Sequence, residues 1–473
     1  MRPVRFGTDG WRAVIADGYT FENLNRVSQA AARWIQQSGI SENGVVIGYD
    51  CRFLSREFAR HSAEVFAAME IPVRIATSVT PTPAVSWAAK KFDAVGIVIT
   101  ASHNPPEYNG FKIKAPFGGS ASPEQIAEVE EELSRVTEPV AVTPYKSCLK
   151  MGVIRELDLA ADYLELLAEG LDLEKIRKSG LRIAHNPMFG SGMGVIRQLL
   201  GEQVSEMNHY RDPLFGGCPP EPIEKNLAEF PEFVTGTGSD LGIANDGDAD
   251  RIAMVDEKGQ FVDSHRILSL LVKYLFTKKG LNGSVVKTFS TSDMLNRQAK
   301  AYGLPLVVTP IGFKYIAEHI ITGDVLAGGE ESGGLAVKGH IPERDGIYIG
   351  LLIAEMVVAE GKPLSILVQE LFDEFGPHEY YRSDILTEER KKVAMIRYCT
   401  QQKLKEISGV RVTAWDTTDG IKHLMEDGSW LLVRPSGTEP VLRIYAEASN
   451  VAHARKLVEQ VCSRVDDPGI LEV

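Results

Sequence analysis

Cysteine is scarce in this chain. Only five occur in 473 residues, and Cys51, Cys148, Cys218, Cys399 and Cys462 form neither a CxxC pair nor a Cys/His spacing suited to zinc. That excludes a disulfide scaffold and a thiolate metal centre, so the scattered thiols read as reduced and structural. No apolar run approaches the ~20 residues of a membrane span. The opening Met1-Arg2-Pro3-Val4-Arg5-Phe6-Gly7 has no apolar stretch or small-residue cleavage site, so the chain reads as cytoplasmic with no membrane partner. Positive charge is also in deficit: 51 basic against 64 acidic residues leave a formal charge of −13. This disfavours nucleic acid as a partner and repels anions at long range. Any phosphate site must therefore be built from local arginines, lysines and backbone amides. The Walker lysine motif and the Gly-x-Ser-x-Gly elbow are both missing, which argues against a P-loop nucleotide site and a serine hydrolase.

What is present is repetition. Three times an apolar β-rich run, a helical stretch and a second apolar run lead into a loop rich in Gly and Asp or Ser. The first copy joins Val45-Val46-Ile47-Gly48-Tyr49-Asp50 to Gly96-Ile97-Val98-Ile99. The second joins Leu181-Arg182-Ile183-Ala184-His185-Asn186 to Leu241-Gly242-Ile243-Ala244, and the third joins Ser284-Val285-Val286-Lys287-Thr288 to Asp324-Val325-Leu326-Ala327. With helical patterns at about 58–69 and 311–320 between strands, this predicts an α/β fold. Three related α/β domains with mixed, mostly parallel sheets would each offer a loop to a central cleft. Past residue 379 the pattern becomes a helix over about 388–407, strands near 410–415, 430–434 and 442–446, and a closing helix from Val451. That predicts a smaller C-terminal α+β domain with an antiparallel sheet. A prior of about 150 residues per domain gives three or four units, and the pattern places boundaries at 1–145, 146–256, 257–376 and 377–473.

The loops carry the chemistry. Thr100-Ala101-Ser102-His103-Asn104-Pro105 presents a hydroxyl where a buried strand ends, a position suited to function in α/β proteins, although Ser102 and Asn104 could simply cap a turn. Neighbours on an extended chain point oppositely, so a Ser102–His103 dyad is poor geometry. Asn109-Gly110 reads as a hairpin turn that would return Lys112 toward Ser102; alone, Lys112 is equally a solvated strand lysine. Asp246, Asp248 and Asp250 share one face of a looped segment and offer three hard oxygen ligands, leaving room for water or phosphate oxygen, as Mg²⁺ prefers. An EF-hand is the rival, since Glu257 falls at its twelfth position, but Arg251 stands where its glycine is required. A serine beside such a metal points to phosphoryl transfer. In Gly328-Gly329-Glu330-Glu331-Ser332-Gly333-Gly334, Glu330 and Ser332 suit the hydroxyls of a sugar, against a plain flexible turn. His340 is a candidate acid/base or a surface histidine. Arg434, Ser436, Gly437 and Thr438 combine a guanidinium fork, two hydroxyls and a freed backbone, a cradle for a phosphate dianion.

Thr-Ala-Ser-His-Asn-Pro, Asp-Gly-Asp-Ala-Asp-Arg, Gly-Glu-Glu-Ser-Gly-Gly and Arg-Pro-Ser-Gly-Thr-Glu-Pro, in this order, resemble the α-D-phosphohexomutase superfamily along essentially the whole chain. The opening Phe6-Gly7-Thr8-Asp9-Gly10-Trp11-Arg12 is similar to the family's start, whose active-site arginine matches Arg12. The resemblance implies phosphoserine, metal-binding, sugar-recognition and phosphate-binding domains in that order. It implies that Ser102 carries a phosphoryl group, with Mg²⁺ held by Asp246, Asp248, Asp250 and a phosphoserine oxygen. It also implies a hexose 1,6-bisphosphate intermediate, with glucose 1,6-bisphosphate as activator. Lys112 and His340 match positions of proton transfer or phosphate contact, Arg251 lies beside the metal, and Lys314 matches a secondary contact. Glu331 and Gly334 lean toward glucose phosphates, where dual glucose/mannose enzymes resemble Gly-Glu-Met-Ser-Gly-His and glucosamine enzymes Gly-Glu-Gln-Ser-Gly-His. The expectation is a phosphoglucomutase, monomer or homodimer, with mannose or dual specificity as the alternative and glucosamine less favoured. A phosphosugar phosphatase and a non-catalytic sugar-phosphate sensor are rivals from other classes.

Overall fold

A computed structural model describes residues 4–7, 9–401, 404–436, 441–467 and 470. Its backbone falls into two units, Met1–Leu281 with Gly312–Leu367, and Asn282–Ile311 with Val368–Val473.

The first unit opens with an eight-stranded mixed sheet. Val45–Tyr49 pairs in parallel with Val95–Ile99 and with Val73–Ala76, as the first sequence repeat implies. Every residue of Val45–Tyr49 and Val95–Ile99 is buried, because helices cover both faces of a parallel sheet and its strands read as continuous apolar runs. The helix Phe21–Gln37 starts where the Thr20 side chain accepts from the Asn23 backbone N–H, which satisfies one orphan donor of its first turn. The strand Ile154–Leu157 closes one edge, parallel to Val73–Ala76. The expected Asn109-Gly110 turn does not form: both residues lie inside the strand Tyr108–Ala115, antiparallel to Val95–Ile99 and Gly10–Val14. Tertiary packing overrides the local turn preference. A β-carbon on Gly110 would come within 2.4 Å of the Thr100 carbonyl oxygen, while the buried Asn109 amide donates to Ser55 Oγ. Lys112 lies opposite Val98 in this pairing, and its ammonium reaches the aspartate loop.

The second sheet runs Val204–Glu206, Ile183–Asn186, Leu241–Asn245, Ile252–Asp256 and Phe261–Val262. Ile183–Asn186 and Leu241–Asn245 are parallel, as the second repeat implies. The aspartate loop joins two antiparallel strands, Leu241–Asn245 and Ile252–Asp256, so the helix–loop–helix frame of an EF-hand is excluded. In the same unit Val325–Gly329 pairs antiparallel with Leu335–Val337 through the turn 330–334.

The second unit holds the parallel pair Ser284–Thr288 and Leu306–Thr309 and a six-stranded antiparallel sheet. That sheet runs Glu379–Leu386, Val441–Ala448, Trp430–Pro435, Ile421–Met425, Val410–Asp416 and Glu406–Ile407, packed on the helix Val451–Asp466. The expected long helix at 388–407 is shorter, Glu389–Thr400, since Glu406–Ile407 leaves it to pair with the next strand.

Candidate active site

Ser102 follows Val95–Ile99 in a left-handed backbone conformation, φ 52°, uncommon for a residue with a side chain and typical of functional turns. Its backbone N–H donates to Thr100 Oγ1 at 2.8 Å, and the Thr100 hydroxyl donates to Asp50 Oδ2 at 2.7 Å. The turn overturns the expectation that Ser102 and His103 point apart. His103 Nδ1 comes to 3.4 Å from Ser102 Oγ, because the segment is coiled rather than extended. Burial, then the charges of Arg251, Arg12, Lys112 and Arg52, push the His103 imidazole well below its usual range, so it is neutral near pH 7. The serine's short bond goes elsewhere: its Oγ donates to Asp246 Oδ2 at 2.7 Å. The two loops meet at Gly247, where a β-carbon would lie 2.5 Å from the Ser102 carbonyl oxygen.

Asp246, Asp248 and Asp250 are buried, and one carboxylate oxygen from each lies within 4.8 Å of the others. Thr82, at the start of the helix Thr82–Lys91, donates its hydroxyl to Asp248 Oδ2 at 2.6 Å and its N–H to the Asp248 carbonyl. Lys112 Nζ bridges Asp9 at 2.8 Å, Asp248 at 2.8 Å and Asp250 at 3.0 Å. Arg344 bonds Asp250 Oδ2 at 2.6 Å and also pairs with Asp9. Those cations occupy one oxygen of each aspartate; Oδ1 of Asp248 and Oδ1 of Asp250 are buried with no hydrogen-bond partner. Two orphaned anionic oxygens beside Asp246 and a serine hydroxyl form a hard donor set that fits a small divalent cation. Burial, then repulsion from Asp248 and Asp250, raises the Asp246 carboxyl well above its usual range, as expected where three carboxylates share one site. Burial would lower the Lys112 ammonium, but Asp248, Asp250 and Asp9 outweigh it and hold the group above its ordinary value. Lys112 is therefore a fixed cation.

Four family models match the chain in order: phosphoglucomutase/phosphomannomutase α/β/α domain I over residues 3–139, domain II over 161–259, domain III over 263–375 and the C-terminal domain over 387–464. The chain belongs to the phosphoglucomutase/phosphomannomutase family. A phosphoglucomutase/phosphomannomutase of Thermococcus kodakarensis is 33% identical over 96% of both chains. A phosphoglucosamine mutase of Methanococcus maripaludis is 32% identical over 81% of this chain and 83% of its own. A crystal structure from Thermus thermophilus that carries the name phosphomannomutase has a TM-score of 0.86 at 34% identity, covering 98% of this chain and 99% of that one. The chain is thus an intramolecular phosphotransferase, a phosphohexomutase at family level.

In this phosphohexomutase the remaining sequence candidates divide. Arg12 donates to Asn104 Oδ1 at 2.8 Å and lies 3.4 Å from Asp9, which ties it to the serine loop. Arg251 donates its backbone N–H to Asp246 Oδ1 at 3.0 Å, and its guanidinium lies 3.8 Å from Glu221. The turn carrying Glu330 and Ser332 is joined to the aspartate loop by an Arg251–Gly334 β-bridge. The Glu330 carboxylate sits 3.5 Å from Arg344. His340 Nε2 lies 2.8 Å from Asp345 Oδ2, and its ring stacks on Tyr348 at 3.8 Å. Lys314 places its ammonium over the Tyr315 ring. Arg434 donates to Asp419 at 2.9 Å, and Ser436 N–H bonds the Val441 carbonyl; Gly437 and Thr438 lie outside the described residues. Sequence reasoning missed Arg344, and it quoted Asp9 without assigning it a role. Arg344 carried a signal in the charged run Glu343-Arg344-Asp345 after His340, and Asp9 in the opening motif beside Arg12.

No helix among the described residues is long and apolar enough to cross a membrane.

Proposed function

We propose that the chain is a Mg²⁺-dependent phosphoglucomutase that interconverts glucose 1-phosphate and glucose 6-phosphate through phospho-Ser102 and glucose 1,6-bisphosphate. The observation that carries this reading is the 2.7 Å contact between Ser102 Oγ and Asp246, in a triad where Oδ1 of Asp248 and Oδ1 of Asp250 lack partners. Asp246, Asp248, Asp250 and an oxygen on Ser102 would hold Mg²⁺, which supplies charge neutralisation at the phosphoryl oxygens.

In the forward step the free sugar hydroxyl attacks phosphorus, the P–O bond to Ser102 Oγ breaks, and the sugar's proton leaves to a base. Lys112 is locked as a cation by three aspartates, so it stabilises charge on the transferred group and on the departing serine oxygen. His340, oriented by its bond to Asp345, is taken as the acid/base. Arg12 and Arg251 are assigned to phosphate contact, as are Arg434, Ser436, Gly437, Thr438 and Lys314, with Glu330 and Ser332 on the sugar hydroxyls.

Gly334 supports the glucose reading. A β-carbon there would lie 2.2 Å from Arg344 Cδ, so Arg344 fills the space that histidine would need in the other specificity patterns. A second reading, a phosphoglucosamine mutase, is favoured by the name of the Methanococcus relative. Glucose, mannose and glucosamine 1-phosphates assayed side by side with Mg²⁺ and glucose 1,6-bisphosphate separate the readings. The expected result is fastest turnover of glucose 1-phosphate without free phosphate, and its loss in Ser102→Ala. Faster glucosamine turnover selects the second reading, and phosphate release selects a phosphatase.

A further inference from the structure

The strand Val45–Tyr49 ends in Asp50-Cys51-Arg52, and Arg52 is fully buried. Its guanidinium is spent on the serine loop. Nη2 donates to the carbonyls of Ser102 and Asn104, both at 2.6 Å, and Nη1 to those of Pro105 at 2.7 Å and Tyr108 at 3.1 Å. Nε faces Asp50 Oδ2 at 3.1 Å, the same oxygen that receives the Thr100 hydroxyl. Four carbonyls thus take the four Nη N–H groups of the planar fork, while Nε, buried and without a hydrogen bond, only faces the Asp50 carboxylate as an ion pair. The second sheet's domain closes the seat: the Phe215 ring lies 4.9 Å under the guanidinium, and Arg211 donates to the Arg52 carbonyl at 3.1 Å.

We propose that Arg52 is the positioning residue of the phosphoserine loop, holding Ser102 in its left-handed conformation against the aspartate loop. The Ser102 carbonyl is drawn by Arg52 and faced by Gly247, which has no β-carbon to displace it. A left-handed serine persists only where its surroundings over-determine it, and this pair of contacts does so. The inference rests on the phospho-Ser102 reading. Lysine in this place keeps the charge beside Asp50 but carries three donors on a point charge, so it cannot hold four loop carbonyls. The loop would relax while the substrate contacts stay in place.

The test compares wild type, Arg52→Lys and Arg52→Ala with Mg²⁺ and glucose 1,6-bisphosphate, reading kcat, KM, Ser102 phosphorylation by intact mass, and thermal unfolding. Arg52→Lys is expected to fold, to lose kcat by about 100-fold, the cost of roughly 1 Å of misplacement, and to change KM less than about threefold. Guanidinium ion at millimolar concentration is expected to restore part of the Arg52→Ala rate and none of the Arg52→Lys rate. A wild-type kcat in Arg52→Lys overturns the inference, as does a loss confined to KM. An unfolded Arg52→Lys overturns it as well, showing a purely structural residue. Wild type that neither turns over nor carries phosphate on Ser102 defeats the underlying reading instead, a distinct result.

Discussion

Gly247→Ala probes the meeting of the serine and aspartate loops with a single methyl group. The new β-carbon would stand 2.5 Å from the Ser102 carbonyl oxygen and 3.0 Å from Pro220 Cγ, so the first contact falls about 1 Å short of ordinary van der Waals distance. Gly247 is not among the positive-φ glycines, so alanine meets no backbone penalty and the effect is steric. Backbone on both sides must yield. Arg52 holds the Ser102 carbonyl at 2.6 Å, and the Ser191 N–H holds the Gly247 carbonyl at 2.9 Å. Overpacking of this kind costs about 1–3 kcal/mol of stability. A separation of about 1 Å between Ser102 and Asp246 costs on the order of 100-fold in rate. The assay is a coupled mutase measurement of kcat and KM beside urea unfolding. We expect a large fall in kcat with a small change in KM and a modest loss of stability. A variant with wild-type kcat would refute the claim that loop contact at Gly247 sets the serine–triad geometry.

Three further predictions concern charge. Lys112→Met strands Asp248 without a cation, while Arg344 still pairs with Asp9 and Asp250, a loss of about 3–5 kcal/mol for a broken buried pair. The Tm gain from added Mg²⁺ should then exceed that of wild type, and an equal or smaller gain contradicts the arrangement. Arg434→Ala should raise KM for the sugar phosphate by about 10- to 100-fold, the worth of a charge-assisted bond, with kcat nearly unchanged; a pure kcat effect would remove Arg434 from the phosphate cradle. His423 is buried, which pushes its imidazole down to about 4. The unfolded chain therefore takes up this proton first, and stability falls as pH drops from about 6.5 toward 4, by roughly 3 kcal/mol. Urea unfolding at pH 7 and pH 4.5 should show a smaller acid loss in His423→Phe than in wild type, and an unchanged loss would refute the assignment.

The sequence alone determined the repeated α/β design, the Ser102 loop and the Asp246–Asp248–Asp250 triad. Buried parallel strands are written as unbroken apolar runs, and a carboxylate triplet at alternate positions needs no distant partner to be seen. The tertiary structure decided everything that depends on residues far apart in the chain. Asn109-Gly110 carries the local signature of a turn, yet a β-carbon at 110 would strike the Thr100 carbonyl, so the chain runs straight and sheet pairing delivers Lys112. Asp9, Lys112, Asp250 and Arg344 meet across up to 335 positions, a convergence that topology makes and no local pattern records. Arg52 looks like any surface arginine until its fork is seen filled by four carbonyls. Local rules for an extended chain place His103 away from Ser102, yet the backbone turns left-handed at Ser102 and brings the two together. Short-range periodicity reports burial, whereas ion pairing and strain are set by which segments the fold brings together.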